Sequence, residues 1–309
     1  MSMNGVCNQL VSTHPVATPK VAVLIVTYNF ERWLNRCMGS LRQSILKPTI
    51  YVVDNASTDH TVERLKRDYP EVHLIENREN RGFGQANNQA AEQALLDGAH
   101  YLFLLNQDAW IDEQTLGTLM ELSLQLPHYG ILSPTHLNGE GNRLEKGFAH
   151  YTKLKDLEAL DQSQSHHEAG FVNAAFWLIP APVWQQLGGF SPLFYHYGED
   201  VDFVNRLHYH GYAIAYSPQV FGCHDREYRP VTHTAYLRSE WVYLLSEYAN
   251  LNHSLPAAMA YSILAAVKKS LIALGHGKTS DSLAFMKMAL KLTAMSMQII
   301  NTRNHYRHA

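Results

Sequence analysis

Residues 21–27 have the sequence VAVLIVT, a continuous run of apolar and mostly β-branched side chains. Such a run is typical of a strand that is buried on both faces, as in a parallel sheet covered by helices. Apolar residues recur at helical spacing from Trp33 to Leu41, and the next strand pattern, IYVV at residues 50–53, ends at Asp54. This β-α-β order predicts an α/β fold with a mostly parallel sheet flanked by helices.

The alternation of helix and strand continues to Leu105 and is less regular after it. Periodicity predicts helices at 61–69, 84–96, 182–187 and 199–210, and strands at 72–75, 101–105, 171–179 and 213–215. From Thr234 onward the pattern is helical, with a break at Gly275–Gly277. We therefore predict three regions, which are a flexible leader over residues 1–19, an α/β domain over 20–232 and a helical region over 233–309.

The composition excludes several classes of protein. With 309 residues, 46% of them hydrophobic, the chain can bury a large core. A net charge of -3 and a pI near 6.6 leave no basic footprint for a nucleic acid. The three cysteines are widely spaced and form no Cys-x-x-Cys, so a disulfide framework is not favoured. Residues 1–19 lack a signal-peptide pattern and no apolar run is long enough to span a bilayer, so we expect a cytoplasmic protein.

Positive charge is concentrated at the C-terminal end. From Leu251 onward there are seven Lys or Arg residues and a single acid, Asp281. Two interpretations are open. The helices of this region pack on the rest of the chain or on a second subunit of a homo-oligomer, or they contact anionic lipid headgroups at the inner face of the membrane.

Polar side chains follow three of the predicted strands, at the carboxyl ends where parallel sheets bind ligands. They are Thr27-Tyr28-Asn29, Asp54-Asn55 and Asn106-Gln107-Asp108. Asp54 could accept the imide N–H of uracil or thymine, and Asp108 could hold a hard divalent cation against a diphosphate. The structural alternative is that these residue types simply form turns and helix N-caps.

Residues 80–87, NRGFGQAN, match two glycines of the dinucleotide-binding fingerprint but have Asn87 in place of the third. The segment also follows a polar loop rather than a strand, so NAD binding is not favoured. The glycines instead predict a close approach of the backbone to a ligand, with Arg81 available to meet a phosphate.

Three acids occur within four residues, Glu199 to Asp202, at the start of a predicted helix. Acids in a first helical turn are stabilised by the helix dipole, and Asp202 can pair with Arg206 one turn on. This explains Asp202, but it leaves two adjacent acids directly after the aromatic, glycine-flanked stretch 188–198. A carboxylate at this place could act as a general base toward an incoming hydroxyl.

In order along the chain, the motifs are VAVLIVTYN, VVDNASTD, NRGFGQANN, LLNQD, GGF followed by YGEDVDF, and then His224. The series resembles the family 2 inverting glycosyltransferases of the GT-A fold, and within them the bacterial rhamnosyltransferase-like branch. The resemblance covers residues 21–230. It implies that residues 20–232 are a GT-A catalytic domain, with a donor half over about 20–110 and an acceptor half over about 111–232, followed by a C-terminal helical extension.

The resemblance implies that the donor is a nucleotide-diphosphate sugar held with a divalent metal, Mn²⁺ or Mg²⁺. Together with the residue patterns it assigns the donor contacts to Thr27, Tyr28, Asn29, Asp54, Asn55, Arg81, Gly82, Asn87, Asn106, Gln107 and Asp108. Asp108 would bind the metal. Asn106 stands where related enzymes have the first acid of an Asp-x-Asp signature, so a further ligand is needed, and His224 matches a histidine that some relatives use.

Asp200 matches the second acid of the family's Glu-Asp motif, which implies that it is the catalytic base and that Glu199 positions the acceptor or the sugar. The sugar of dTDP-rhamnose or a UDP-sugar would pass with inversion to a hydroxyl of a glycan or lipid-linked glycan in cell-surface polysaccharide biosynthesis. Two other hypotheses stay open. One is a catalytically weak nucleotide-sugar-binding protein, motivated by Asn106, and the other is a membrane-associated adaptor acting through residues 234–309.

Overall fold

A computed structural model describes residues 19–226 and 231–308 of the chain. The leader expected over residues 1–19 lies outside the described residues except for Pro19. Residues 227–230, at the end of the stretch that resembles the family, also lie outside them.

Within residues 19–108, four strands alternate with three helices. The strands are β1 (Val21–Thr27), β2 (Thr49–Asp54), β3 (His73–Glu76) and β4 (Tyr101–Leu105). The helices are α1 (Leu34–Gln43), α2 (Thr61–Asp68) and α3 (Phe83–Leu96). The strands lie in the order β3-β2-β1-β4, and every neighbouring pair is parallel. The predicted β-α-β alternation is confirmed here.

β1 lies between β2 and β4 and is covered on both faces. Ala22 and Leu24 pack into the core on one face of the sheet. Val23 and Ile25 pack into the core on the other face. Since neither face meets water, no alternation of polar and apolar residues is needed, which is why VAVLIVT is apolar throughout.

Between residues 109 and 226 the described chain adds five strands in a mixed arrangement. The strands are β5 (Ala109–Ile111), β6 (Tyr129–Asn138), β7 (His167–Ala169), β8 (Phe176–Pro180) and β9 (Ala213–His224). The helices are α4 (Thr115–Gln125), α5 (Lys146–Thr152), α6 (Ala181–Leu187) and α7 (Glu199–Tyr209). β8 pairs antiparallel with β4 and β6, whereas β6 pairs parallel with β9. The parallel arrangement predicted from the first strands therefore ends at β4, and the complete sheet is mixed.

Two strands of this half differ from their predicted bounds. Residues 171–175 form a loop and β8 begins at Phe176, because its partner β4 ends at Leu105, opposite Phe176. β9 does not end at Ala215 but runs on to His224. Its register against β6 shifts between Ser217 and Phe221, and this irregularity accommodates Pro218 without ending the strand.

Four helices follow within residues 231–308. They are α8 (His233–Ala249), α9 (Leu255–Gly275), α10 (Thr279–Ala294) and α11 (Ser296–Arg307). The region from Thr234 onward is helical as predicted, and the predicted break at Gly275–Gly277 separates α9 from α10. Gly277 adopts a φ of 70°, a left-handed conformation that glycine reaches without a steric penalty.

Arg206 of α7 contacts the C-terminal end of α6, the residues that follow it, and α11. Its Nε donates to Asp202 Oδ2 at 2.8 Å, so the predicted pair is confirmed. Its two Nη atoms donate to the carbonyl oxygens of Leu187 and Gly189. The guanidinium lies 4.2 Å from the ring centroid of Tyr306. Asp202 and Arg206 are only 3% and 2% exposed, so water cannot replace either partner.

We expect Arg206→Met to lower the free energy of unfolding by about 3–5 kcal/mol, because it leaves Asp202 buried without its partner. Urea unfolding followed by circular dichroism measures the change. Arg67→Met is the matched control, since Arg67 pairs with Asp68 at the surface, where ion pairs contribute little. Equal denaturation midpoints for the two variants would contradict this role of Arg206.

Candidate active site

The ends of β1 and β2 meet at the buried carboxylate of Asp54. Thr27 lies opposite Asp54 in the parallel register, and its Oγ1 donates to Asp54 Oδ1 at 3.0 Å. The backbone N–H of Ser57 donates to Asp54 Oδ2 at 2.9 Å. Asp54 is 2% exposed, and these bonds fix the plane of its carboxylate. These bonds hold the carboxylate rigidly in place. The donor-binding role of Asp54 and Thr27 stays a prediction.

The loop after β1 is tied to the loops after β2 and β4. Asn29 has a φ of 54°, and its Oδ1 accepts from the backbone N–H of Thr58 at 2.9 Å. Gln107 Oε1 accepts from the backbone N–H of Tyr28 at 2.8 Å, and Gln107 Nε2 donates to Tyr28 O at 3.3 Å. The Tyr28 ring itself is 48% exposed. The three loops that the sequence places at strand ends therefore converge at one edge of the sheet.

Gly82 brings the loop before α3 against two other parts of the site. Its φ is 80°, and a Cβ atom here would lie 2.1 Å from Tyr195 O, so the backbone positions allow only glycine. Gly82 O accepts from Asn55 Nδ2 at 3.2 Å, and Asn55 Oδ1 accepts from the N–H of Arg81 at 3.4 Å. Asn87 lies one turn inside α3, is 1% exposed and donates to Phe83 O at 3.0 Å.

Asp108 and His224 come together although 116 positions separate them in sequence. His224 Nε2 lies 3.2 Å from Asp108 Oδ1. The cause is the antiparallel pairing of β5 with β9, which places Ala109 opposite His224, and Asp225 N–H donates to Asp108 O at 2.8 Å. Two ligands of one cation at about 2.1 Å stand roughly this far apart, so a carboxylate oxygen and a neutral imidazole fit Mn²⁺ or Mg²⁺.

Two more polar atoms at this place have no hydrogen-bond partner among the described residues. Asn106 Oδ1 and His224 Nδ1 are buried and make no hydrogen bond to any described residue. Unpaired buried polar atoms are rare in folded proteins and often mark a place that a ligand or water completes. No group of three His, Cys, Asp or Glu residues that could hold a metal occurs within 19–226 and 231–308, so a bound donor would have to supply further ligands.

Glu199 and Asp200 begin α7 in a tightly packed turn. Gly198 has a φ of 89°, and a Cβ atom there would lie 2.5 Å from Val242 Cγ1, so α8 fixes the entry to this helix. Glu199 is 6% exposed, and its Oε2 has no hydrogen-bond partner among the described residues. Burial and the neighbouring Asp200 raise the pKa of Glu199 to about 7. Burial also raises the pKa of Asp200, against the opposing influence of its backbone N–H contacts and Arg226.

The start of α7 packs against α3. A Cβ atom on Gly84, two residues past Gly82, would lie 3.5 Å from Glu199 Cβ. The charge of Arg226, two residues past His224, acts on Asp200. The predicted base Asp200 thus follows an acid that lies against the start of α3, and its catalytic role stays a prediction.

Sequence reasoning missed Asn173 and Tyr151. Both side-chain amide atoms of Asn173 are buried without a partner among the described residues. Asn173 lies two residues before Ala175, whose carbonyl accepts from Asn106 N–H at 3.1 Å. Tyr151 packs edge-on against Phe171 at 4.7 Å, and its pKa is raised by burial and by the charge of Asp200. A lone polar residue within the apolar run 171–179 was the only sequence signal for Asn173.

The chain matches the model of glycosyl transferase family 2 over residues 22–188, just over half of its 309 residues. The chain therefore belongs to glycosyl transferase family 2, as its motifs predicted. It is 25% identical over 266 residues to the N-acetylglucosaminyl-diphospho-decaprenol L-rhamnosyltransferase of Mycobacterium tuberculosis, a match that covers 75% of this chain and 86% of that protein. The rhamnosyltransferase-like resemblance is thus confirmed.

Two solved structures show the fold. The mannosyltransferase PcManGT from Pyrobaculum calidifontis, in complex with GDP-Man and Mn²⁺, superimposes with a TM-score of 0.59 at 20% identity, covering 95% of this chain and 88% of that one. S. aureus TarS in complex with UDP-GlcNAc gives a TM-score of 0.53 at 14% identity, covering 88% and 92%. The fold is the predicted GT-A glycosyltransferase fold with a C-terminal helical region.

We expect Glu199→Gln to remove a pH dependence of stability. The unfolded chain releases the Glu199 proton near pH 4.5, whereas the folded protein keeps it up to about pH 7. The stabilisation from Glu199 is therefore complete below pH 4.5 and is lost as the pH rises through 7, by about 3 kcal/mol for a shift of this size.

Urea unfolding at pH 5 and pH 8 measures this effect. The Gln variant should gain stability relative to the natural protein at pH 8, and Glu63→Gln, on the exposed surface of α2, is the control. The same change with pH in all three proteins would contradict the raised pKa of Glu199.

Proposed function

We propose that this glycosyltransferase transfers a sugar from dTDP-rhamnose or a UDP-sugar to a hydroxyl of a glycan or lipid-linked glycan, with inversion, in cell-surface polysaccharide biosynthesis. The observation that supports the proposal is the pair of adjacent acids at the start of α7, where Glu199 packs against α3, in a chain that also brings Asp108 within 3.2 Å of His224. A base at this place can reach an acceptor hydroxyl while the donor diphosphate occupies the strand ends.

The reaction is a single displacement. Asp200 takes the proton of the acceptor hydroxyl as its oxygen forms a bond to the anomeric carbon, and the bond from that carbon to the diphosphate breaks with its electron pair on the leaving nucleotide. Attack opposite the leaving group inverts the configuration. Asp108 and His224 would hold the divalent cation, which supplies neutralisation of the charge on the leaving diphosphate.

Glu199 has a different role from its neighbour. With a pKa of about 7 it keeps a proton on a large fraction of molecules at neutral pH. A protonated carboxyl donates a hydrogen bond, which an ionised one cannot do, so Glu199 positions a sugar hydroxyl through an O–H donor. Asp200, which is more exposed than Glu199, takes up the proton that the reaction releases.

The names of similar proteins support the substrate classes. The mycobacterial relative is named for a rhamnose transfer to a diphospho-decaprenol-linked sugar, and the two structural neighbours hold GDP-Man with Mn²⁺ and UDP-GlcNAc. A nucleotide-diphosphate sugar as donor, a divalent metal and a lipid-linked glycan as acceptor are the corresponding proposals for this chain.

One observation favours a second candidate, a nucleotide-sugar-binding protein with weak turnover. Asn106 replaces an acid beside the metal position, and its Oδ1 is unpaired among the described residues. A neutral amide attracts a dication less than a carboxylate does, so the cation would be held less tightly and the leaving group stabilised less. The two candidates differ in turnover and share donor binding.

We expect Asp200→Asn to slow sugar transfer by about 10²- to 10⁴-fold, the usual contribution of a general base. Release of UDP or dTDP in the presence of Mn²⁺ and a lipid-linked acceptor measures the rate, and NMR of the product shows the anomeric configuration. Donor-dependent thermal stabilisation should stay unchanged, because Asn keeps the shape of Asp200.

Asp108→Ala gives the complementary result. It should abolish the Mn²⁺-dependent part of the thermal stabilisation by the donor, since it removes the only carboxylate of the proposed pair. Transfer by Asp200→Asn at the natural rate would contradict the catalytic assignment. Strong donor binding without turnover of the natural protein on any acceptor would favour the second candidate.

We also propose that α9 and α10 rest on an anionic membrane surface at the cytoplasmic side. A helix at a water-exposed surface normally buries its large apolar side chains. In α9 the arrangement is reversed, because the buried face consists of small residues. These are Ala258, Ser262, Ala266, Ser270 and Ala273. Its outward face carries Leu264 at 64% exposure and Leu271 at 60%, and Leu290 of α10 is 65% exposed. By length and composition alone, α9 is long and apolar enough to cross a bilayer.

The charge of this region supports an anionic membrane as the partner of the apolar face. From Leu251 onward seven basic residues accompany one acid, and Lys268 and Lys287 lie exposed among the apolar residues. A basic, apolar helix surface fits anionic lipid headgroups. A second copy of the chain would bring the same positive charge to this face, and the two like-charged surfaces would repel each other.

We expect Leu264→Gln with Leu271→Gln to lower the partition onto vesicles of phosphatidylglycerol and phosphatidylcholine by at least about tenfold, because two apolar anchors are lost. Vesicle cosedimentation measures it. Leu96→Gln, a substitution of an equally exposed leucine on α3, should change nothing. A dimer in light scattering that the double variant dissociates, without vesicle binding, would show that a second subunit covers this face.

A further inference from the structure

A cavity of about 440 Å³ lies between the segment that leads into α7 and the helices α8 and α10. Leu193, Phe194 and Met295 form an apolar wall, and Arg238 and Lys291 line the cavity as well. None of these residues takes part in the donor site or in the proposed proton transfer.

The segment 193–198 separates this cavity from the loop before α3 that contains Asn80 and Gly82. On its donor side, Tyr195 Oη donates to Asn80 O at 2.7 Å, and Tyr195 O occupies the space where Gly82 would carry a Cβ atom. On its other side, the same segment lines the cavity. The segment then ends at Gly198, directly before Glu199 and Asp200. A single chain segment therefore separates a ligand in the cavity from the loop at Gly82, and that segment runs directly into the helix that carries the proposed base.

Arg238 and Lys291 bring positive charge that no acid among the described residues neutralises through an ion pair. Neither forms an ion pair with an acid of residues 19–226 or 231–308, whereas the nearby Lys269 pairs with Glu240. Lys291 Nζ lies 4.3 Å from the ring centroid of Trp241, which holds the ammonium at the cavity. Burial and the guanidinium of Arg238 lower the pKa of His196, which places Arg238 close to that ring.

We propose that this cavity binds the phosphate or diphosphate that joins a sugar acceptor to its lipid, with Arg238 and Lys291 as the ligands of the anion. The assignment rests on the proposed function, since it gives the acceptor of Asp200 a second point of attachment. Guanidinium and ammonium groups are the side chains that bind phosphate oxygens best, and the apolar wall accepts the first part of a lipid chain.

Exposed apolar residues stand next to the cavity lining in the sequence. Leu290 of α10 directly precedes Lys291, and Met297 of α11 lies two residues after Met295. Leu290 is 65% exposed and belongs to the apolar surface that we propose rests on the membrane, and Met297 is 69% exposed. An acceptor anchored in the bilayer would thus present its phosphate to the two cations and its sugar to Asp200.

Isothermal titration of the full chain with farnesyl diphosphate, a short soluble lipid diphosphate, tests the assignment. Arg238→Ala and Lys291→Ala should each weaken binding by about tenfold or more, because each removes a charge-assisted bond to the anion. Lys287→Ala, an exposed lysine one turn earlier on α10 that does not line the cavity, should bind as the natural protein does. Inorganic pyrophosphate and farnesol should both bind at least tenfold more weakly than farnesyl diphosphate.

Unchanged affinity in Arg238→Ala and Lys291→Ala would overturn the assignment, and so would pyrophosphate or farnesol binding as tightly as farnesyl diphosphate. Since both positions are exposed, the variants should keep the natural melting temperature and the same donor-dependent stabilisation with Mn²⁺. Failure of this test leaves the sugar-transfer proposal standing, because that proposal depends on the loss of turnover in Asp200→Asn, which is measured separately.

Discussion

The parallel pairing of β1 with β2 and β4 places the polar ends of three strands at one edge of the sheet. Backbone ladders fix this edge, and side-chain hydrogen bonds tie its loops to one another. Among them are the bonds from Thr27 to Asp54, from Tyr28 to Gln107 and from Thr58 to Asn29. Every other part of the site is arranged around this edge. Asp108 leaves β4 there, and β9 returns to it with His224. A rigid strand edge is what lets a site made of loops keep a fixed geometry.

The acids of this site differ because their surroundings differ. Asp54 has both oxygens engaged by hydrogen-bond donors, from Thr27 at the end of β1 and from Ser57 in the next loop. Glu199 has an oxygen with no described partner, and burial together with Asp200 raises its pKa to about 7. Asp108 faces an imidazole. The local environment thus separates three carboxyl groups for which we propose three roles, which are accepting a hydrogen bond from a nucleobase, positioning a sugar with a bound proton, and binding a metal.

The C-terminal helices support α7 on their inner side and present an apolar, basic surface on their outer side. Val242 of α8 packs against Gly198, and Tyr306 of α11 stacks on Arg206, so two of these helices support the helix that carries Asp200. The outward faces of α9 and α10 are apolar and basic, and the cavity between α8, α10 and the segment before α7 carries two cations. One region therefore supports the helix that carries Glu199 and Asp200 and, as we propose, recognises both the membrane and the lipid end of the acceptor.

The sequence by itself determined what depends on local pattern: the strands and helices up to Leu105, the helical region with its break at Gly275–Gly277, the i,i+4 pair of Asp202 with Arg206, and the family. It did not determine the loop at 171–175, the full length of β9 or the mixed sheet, because the pairing of β8 and β9 depends on strands far away in the chain. The family resemblance named His224, but only tertiary structure brought it within 3.2 Å of Asp108. Asn173, the need for glycine at Gly82 and the cavity beside Arg238 likewise arise where distant segments meet, and periodicity carries no information about such contacts.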